Sequence, residues 1–132
     1  MAHQTGKDII TGLFRDVLQS PSLDMSAVEK YIDPSYTQSV DGVALNYDGF
    51  LAHMRKLKST IASLSVEFLA MAEDSDTVFT NHVVTAKKND GSQIRVKVIA
   101  QFVVHGNRLI SCDELTRLLS GAPEDRDMGS RH

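Results

Sequence analysis

The sequence has 132 residues, enough for one domain with a real core, and its 42% apolar and 23% charged residues are ordinary globular values. The net charge of −3, without a cluster of Lys or Arg, argues against nucleic acid as the main partner, because phosphate binding needs a concentrated basic face. No apolar run approaches the roughly 20 residues that cross a bilayer, so we expect no membrane span.

Two features bear on where the protein works. The N-terminal sequence MAHQTGKDII lacks the charged-then-apolar layout of a secretory signal. The single cysteine, Cys112, excludes an intrachain disulfide and a cysteine-cluster zinc site. We therefore expect a cytoplasmic protein in a reducing compartment.

The N-terminal residues predict an amphipathic helix. Thr5 and Asp8 have the spacing of a capping box, and Pro21 marks the end of the pattern because the residue before proline leaves helical geometry. Between them, apolar residues fall three and four positions apart: Ile9, Ile10, Leu13, Phe14, Val17 and Leu18.

Two further helices are predicted before residue 62. Ser26 and Glu29 repeat the capping-box spacing and predict a short helix over 27–32, which ends at Asp33-Pro34. Asn46 can cap a third helix, in which apolar residues keep the helical spacing: Phe50, Met54, Leu57 and Ile61.

The remaining elements read as strands. A short one covers 35–40, with Tyr36 and Gln38 on one face, and Asp41-Gly42 follows it as a turn signal. Four longer strands are predicted over 63–73, 77–88, 92–104 and 108–116. Strands joined by such short turns are antiparallel neighbours.

This order predicts an α+β domain over residues 1–119, in which three N-terminal helices pack in a curved antiparallel sheet with a pocket inside. Residues 120–132 combine Gly, Pro and mixed charges without apolar periodicity, and they predict a polar C-terminal tail. One hypothesis is that this tail docks on a partner subunit.

His82 is a candidate catalytic residue, because strand alternation places it beside Thr80 and Val84. An imidazole in an apolar pocket suits proton transfer. The alternative is a histidine on the outer face, or one held by a backbone partner. A dyad of His82 with Glu114 is a hypothesis, since their strands can flank the strand over 92–104.

Glu114 is the second catalytic candidate. Alternation predicts that it shares a face with Ile110 and Cys112, and burial there would raise the pKa of its carboxyl and suit it to acid/base work. The alternative is a structural ion pair, in which Glu114 or its neighbour Asp113 binds an arginine. Arg95 and Arg117 are the candidates for that arginine.

The predicted ligand-binding residues are Tyr36, Gln38, Met54, Phe102 and Cys112. The hydroxyl of Tyr36 and the amide of Gln38 could orient a carbonyl or phenol at the pocket mouth, although edge-strand polarity also explains Gln38. Met54 also reads as core filler, and Cys112 as a small buried hydrophobe.

The sequence shows no motif for phosphate binding, for metal binding or for a serine nucleophile. We expect His53 to be solvated. The sequence contains no glycine-rich phosphate loop, no HExxH and no GxSxG, and its five histidines lack the spacing of four residues that favours a metal. No cofactor and no metal are therefore implied.

The order of elements resembles the nuclear-transport-factor-2-like superfamily in its SnoaL-like, polyketide-cyclase-like branch, and this resemblance implies a cone-shaped, cystatin-like fold. Three stretches carry the resemblance: YTQS at 36–39, DGF with a following His and Leu at 48–57, and FVVHGNRLISCDEL at 102–115. The superfamily includes isomerases, cyclases, dehydratases and epoxide hydrolases as well as non-catalytic binding modules, so the resemblance does not by itself imply an activity.

The resemblance also implies a site and an assembly. In SnoaL-like cyclases an acidic residue near the end of the last strand acts as acid or base, and Glu114 stands at or next to that place. The His-Trp pair that often precedes it is replaced here by other residues, and Ser39 stands where a histidine often follows Tyr-x-Gln. Family members are commonly homodimers through the convex sheet face.

Together these observations predict binding, and acid/base conversion without a cofactor, of a small hydrophobic molecule, with an isomerase, cyclase or dehydratase type of reaction. The rival hypothesis is a non-catalytic ligand carrier or protein-interaction module of the same shape. A stress-response domain without defined chemistry is a third.

Overall fold

Six strands form one curved sheet, and three helices cover its concave face, in the computed structural model, which describes residues 5–121. In chain order the elements are α1 (Gly6–Leu13), which continues as a π-helical turn (Phe14–Leu18), α2 (Met25–Tyr31), β1 (Ile32–Val40), β2 (Val43–Asn46), α3 (Tyr47–Thr60), β3 (Ile61–Asp74), β4 (Thr77–Lys88), β5 (Gln93–His105) and β6 (Arg108–Ser120).

The sheet has the order β2-β1-β6-β5-β4-β3. The strands β3 to β6 form the predicted antiparallel meander. The expectation of an entirely antiparallel sheet was wrong at one pair, because β1 and β6 run parallel. Parallel neighbours need a long crossover, and here α3 and four strands separate the two in sequence. The alpha+beta fold class and the curved cone are confirmed.

The first helix begins with the predicted capping box. The Asp8 amide donates to Thr5 Oγ1 at 3.1 Å, and the Thr5 amide donates to Asp8 Oδ2 at 3.4 Å. The helix then widens into the π-helical turn, in which the Gln19 amide donates to the Phe14 carbonyl at 2.8 Å. The turn ends at Leu18, shortly before the predicted stop at Pro21.

The second helix differs from its prediction at both ends. Asp24 caps it, accepting a hydrogen bond from the Ser26 amide at 2.9 Å, so the helix starts before the expected box. It ends at Tyr31, and Pro34 lies inside β1. The pairing of β1 with β6 is irregular between Ile32 and Thr37, which fits a proline that has no amide hydrogen to donate.

The short strand β2 was not predicted. Asp41 and Gly42 both have positive φ values, 52° and 84°, which suit a two-residue hairpin turn. This turn pairs β2 with β1 over four residues, too few for a recognisable alternating pattern.

Strand alternation sets the core as predicted. The even-numbered residues of β4 from Val78 to Ala86 and of β5 from Ile94 to Phe102 are all buried, and they face the helices. Residues 122–132, most of the predicted tail, lie outside the described residues. Within residues 5–121, no helix is long and apolar enough to cross a membrane.

Candidate ligand cavity and acid/base site

A cavity of about 100 Å³ lies between the helices and the concave face of the sheet. Its wall is mainly apolar, with contributions from the π-helical turn, α3 and five of the strands. All seven residues predicted for the site line it: Tyr36, Gln38, Met54, His82, Phe102, Cys112 and Glu114. Their roles toward a ligand stay predictions.

The polar groups of this cavity are concentrated where β1 runs beside β6. The register places Gln38 opposite Cys112, and Val40 opposite Glu114. The Tyr36 hydroxyl donates a hydrogen bond to Gln38 Oε1 at 2.8 Å, and both side chains are buried. The parallel pair therefore assembles hydroxyl, amide, thiol and carboxyl groups at one end of an otherwise apolar space.

Glu114 is half-buried and faces the cavity. Burial raises the pKa of its carboxyl to about 7, and the negative charges of Asp41 and Asp113 act in the same direction. A hydrogen bond from the Cys112 thiol opposes the shift. Among residues 5–121 no ion pair involves Glu114, so the structural alternative of a pair with Arg95 or Arg117 is not what the fold forms.

Burial also raises the pKa of the Tyr36 hydroxyl and of the Cys112 thiol well above their usual values, with the nearby Glu114 charge adding to both shifts. Both groups therefore keep their protons at neutral pH. Cys112 is 6% exposed and is a buried thiol, as predicted, because a nucleophile would need a lowered pKa.

Asp41 fixes the strand that carries Glu114. Its Oδ1 accepts a hydrogen bond from the Thr116 amide at 2.8 Å, and its Oδ2 accepts one from the Thr116 hydroxyl. The Asp41 amide donates to the Glu114 carbonyl at 2.9 Å. The sequence shows Asp41 only as a turn residue, so this contact between the β1–β2 turn and β6 was missed.

His82 is buried deeper than Glu114, with 1% of its surface exposed. Its ring packs against Phe14 and Phe68, with centroids 5.1 Å and 5.5 Å away. Its Nδ1 lies 2.9 Å from Thr80 Oγ1 in a hydrogen bond. Burial lowers the pKa of the imidazole to about 4, so His82 is neutral at neutral pH.

The two catalytic candidates share the concave face but do not touch. His82 pairs across β5 with Val98, whereas Glu114 pairs with Ala100. Among residues 5–121 no hydrogen bond joins them. Their strands flank β5 as the hypothesis required, with an offset of two residues.

Two expectations about neighbouring residues were wrong. His53 was expected in solvent, but it is 6% exposed and lines the cavity. It stands three residues after Phe50 and four before Leu57, a spacing that could have indicated the buried side of α3. Leu109, and not Ile110, faces the cavity with Cys112, because the β5–β6 pairing shifts register between Val103 and Val104.

No three His, Cys, Asp or Glu side chains within residues 5–121 are grouped to hold a metal ion. The prediction that no cofactor takes part stays untested by this geometry.

Comparison with known proteins gives one relative of nearly equal length. The uncharacterized protein C11D3.04c of Schizosaccharomyces pombe is 30% identical over 127 residues, which cover 96% of this chain and 97% of that protein. No protein-family model matches the sequence.

Solved structures share the fold at lower identity. Wild-type IdmH, a candidate polyketide cyclase from Streptomyces antibioticus, has a TM-score of 0.74 at 14% identity, over 86% of this chain and 92% of IdmH. A candidate polyketide cyclase from Acidithiobacillus ferrooxidans has a TM-score of 0.70 at 21% identity, over 88% and 91%. An LEH-like epoxide hydrolase from Mycobacterium tuberculosis has a TM-score of 0.71 at 13% identity, over 85% and 82%.

The helix-filled cone and its cavity thus have the SnoaL-like form of the nuclear-transport-factor-2-like fold, and the predicted resemblance is confirmed. Within that fold, the chain belongs to the family of the fission yeast protein, with which it aligns over almost its whole length. The distant structures support the fold and do not identify a reaction.

Proposed function

We propose that the protein binds a small, largely apolar molecule in its cavity and moves a proton on it without a cofactor, in a reaction of the isomerase, cyclase or dehydratase type. The observation that carries this proposal is Glu114, a carboxyl without a cationic partner in the described chain, which faces an apolar cavity and titrates near neutrality. A general acid or base works best when its pKa lies near the working pH.

Glu114 is the better candidate for proton transfer, and His82 contributes differently. At pH 7 Glu114 exists in comparable amounts as acid and as base, whereas the pKa of His82 near 4 keeps its imidazole neutral. His82 would then be a neutral polar group in the cavity wall, and its hydrogen bond with Thr80 would fix the orientation of its ring. Tyr36 and Gln38 would orient the oxygen of the ligand beside Glu114.

Apolar side chains complete the proposed binding site. Met54 and Phe102 are each 3% exposed and line the cavity, so they would enclose the body of the ligand. Excluding water around Glu114 also strengthens the electrostatic interactions of its carboxyl.

Proton exchange on a ring-sized ketone tests this proposal. We expect the protein to accelerate exchange of the α-hydrogens of cyclopentanone in D₂O, measured by ¹H NMR, and Glu114→Gln to reduce the acceleration by about 100-fold or more. Glu67→Gln is the matched control, because Glu67 is exposed on β3.

Equal exchange rates in wild type and Glu114→Gln would overturn the acid/base proposal. The alternative, a ligand carrier, would then be favoured if cyclopentanone still shifted the resonances of cavity residues. The convergence of Tyr36, Gln38 and Glu114 supports the enzyme over the carrier, because a carrier needs no such grouping.

We also propose that two copies pair through the convex face of the sheet in a cytoplasmic homodimer. Large apolar side chains are exposed on that face, between 47% and 69% of their surface: Leu69, Phe79, Ile99 and Leu115. Exposed apolar residues at neighbouring sheet positions favour a protein contact.

A further inference from the structure

We infer that the ligand is an uncharged molecule of about one ring, whose single hydroxyl or carbonyl oxygen lies between the Gln38 amide and the Glu114 carboxyl. This inference rests on the proposed function and specifies its ligand. Three features of the cavity support it: its size, the orientation of one buried amide, and the charges of its wall.

The size of the cavity limits the ligand. Its volume is about 100 Å³. An apolar cavity of about 150 Å³ engineered into another protein binds benzene, so a single small ring is the appropriate scale here. A polycyclic molecule would require the apolar side chains of the wall to move.

The Gln38 amide presents a donor to the cavity. Because Gln38 Oε1 accepts the Tyr36 hydroxyl at 2.8 Å, its Nε2 is directed away from that contact. Within residues 5–121 no protein group accepts a hydrogen bond from Nε2, although the side chain is only 8% exposed. Nε2 is not fully enclosed by protein within residues 5–121, so an oxygen of the ligand would supply its acceptor in place of water.

Glu114 can donate the second hydrogen bond to the same oxygen. It lies two positions along β6 from Cys112, the register partner of Gln38, on the same concave face. The Cys112 thiol, the carboxylates of Asp41 and Asp113 and the Tyr36 hydroxyl interact with its carboxyl, and His53 of α3 lines the same cavity. In its protonated form the carboxyl is a donor, so two donors converge on one acceptor.

The charges of the wall disfavour an ionic ligand. Within residues 5–121 no Lys or Arg lines the cavity, so a carboxylate or phosphate would lose its hydration without gaining a cation. An ammonium group could pair with Glu114 only when that carboxyl is ionised, and it would meet the donor side of Gln38 and lose hydration in the apolar space. A neutral oxygen satisfies both Gln38 and Glu114 without either cost.

Four probes of one ring size test this inference: toluene, benzyl alcohol, benzylamine and benzoate. At pH 6, where Glu114 is mostly protonated, we expect benzyl alcohol to bind at least about tenfold more tightly than the other three. Binding is measured as chemical-shift changes in ¹H–¹⁵N spectra of the full chain, including the Gln38 side-chain amide.

Gln38→Leu removes the donor while keeping most of the volume, and it should bring the ratio of benzyl alcohol to toluene affinity close to one. Gln101→Leu is the matched control, because Gln101 is exposed on the convex face of β5. Should Gln38→Leu fail to fold, Glu114→Gln at pH 8 provides the second comparison, since its amide still donates where the ionised wild-type carboxyl does not. There it should bind cyclopentanone, whose carbonyl oxygen can only accept a hydrogen bond, more tightly than the wild type does.

The possible outcomes distinguish failure of this ligand assignment from failure of the proposed function. Equal binding of toluene and benzyl alcohol would overturn the inference and leave the cavity as a ligand site. Preference for benzylamine or benzoate would also overturn it. If none of the four probes binds, the proposed function fails together with the inference.

Discussion

Glu114 and His82 respond to the same burial with opposite changes. Removing water disfavours the charged form of any group, so the pKa of the carboxyl rises to about 7 and that of the imidazole falls to about 4. Near pH 6 both side chains are mostly neutral. Of these two residues, only Glu114 changes charge near neutral pH.

The raised pKa of Glu114 predicts a pH-dependent stability. Because the folded pKa lies above the usual value of 4.5, the contribution of Glu114 to stability is fully present below about pH 4.5 and is lost as the pH rises through about 7. We expect Glu114→Gln to remove this loss. The free energy of unfolding of the variant minus that of the wild type should therefore be higher at pH 8 than at pH 4.5, by about 1–3 kcal/mol. Urea unfolding at the two pH values measures the difference, and the same pH dependence in both proteins would contradict it.

His82 predicts the opposite dependence. Its folded pKa lies below the usual value of 6.5, so its contribution is present above about pH 6.5 and is lost as the pH falls through about 4. We expect His82→Gln to lose less stability than wild type between pH 7 and pH 4, by about 1–3 kcal/mol. The matched control variant is His105→Gln, because His105 is exposed. Parallel curves for wild type and His82→Gln would contradict the buried, neutral assignment.

At the scale of single residues, alternation along a strand was the most reliable guide. It placed Tyr36 with Gln38, and His82 with Thr80 and Val84, on one face of each strand, because neighbouring side chains of a strand point to opposite sides, but it left open which face is the inner one. It could not find Asp41, whose partner Thr116 is 75 residues away. It also failed at Ile110, where the pairing of the two strands shifts register and changes which side chain faces inward.

Among the elements, the β1–β2 turn holds the strand that carries Glu114 in place. Asp41 of this turn makes hydrogen bonds with Thr116 and with the backbone of Glu114 on β6. We expect Asp41→Asn to lower stability by about 1–2 kcal/mol, because it weakens two hydrogen bonds to a charged acceptor, and to weaken benzyl alcohol binding. The positive φ of 52° at this position tolerates Asn, so the backbone is not the cause.

Asp90→Asn is the matched control for that variant. Asp90 also accepts hydrogen bonds from an amide and a hydroxyl, both of Ser92, but within its own turn. It should change stability without changing affinity for the probe. Loss of affinity in Asp90→Asn, or none in Asp41→Asn, would mean that the turn does not position Glu114.

Elements that depend on residues close in sequence could be predicted, whereas elements that depend on contacts between distant segments could not. The caps at Thr5 and Asn46 and the long strands of the meander depend on residues close in sequence, and they were predicted. The parallel pairing of β1 with β6 depends on a crossover that brings distant segments together, and no local pattern encodes it. This pairing assembles Gln38, Cys112 and Glu114, so the polar end of the cavity is a product of topology.

For the whole molecule, the convex face makes the proposed homodimer testable. Ile99 pairs across the sheet with Leu115, and both are at least half exposed. We expect Ile99→Lys to convert a dimer into a monomer in sedimentation experiments, because a buried lysine without a partner is unfavourable. Gln93→Lys, at the start of the same strand, should leave the dimer intact. A wild-type monomer at about 100 μM would contradict the proposal.

The most direct measurement is the pKa of Glu114 itself. The carboxyl carbons of glutamate can be labelled with ¹³C and titrated by NMR, and the signal of Glu114 is identified by its loss in Glu114→Gln. We expect a midpoint near pH 7 for Glu114, well above the usual value of 4.5 for a glutamate carboxyl. A midpoint near 4.5 would show a carboxyl in contact with water, and the acid/base role proposed for the cavity would be contradicted.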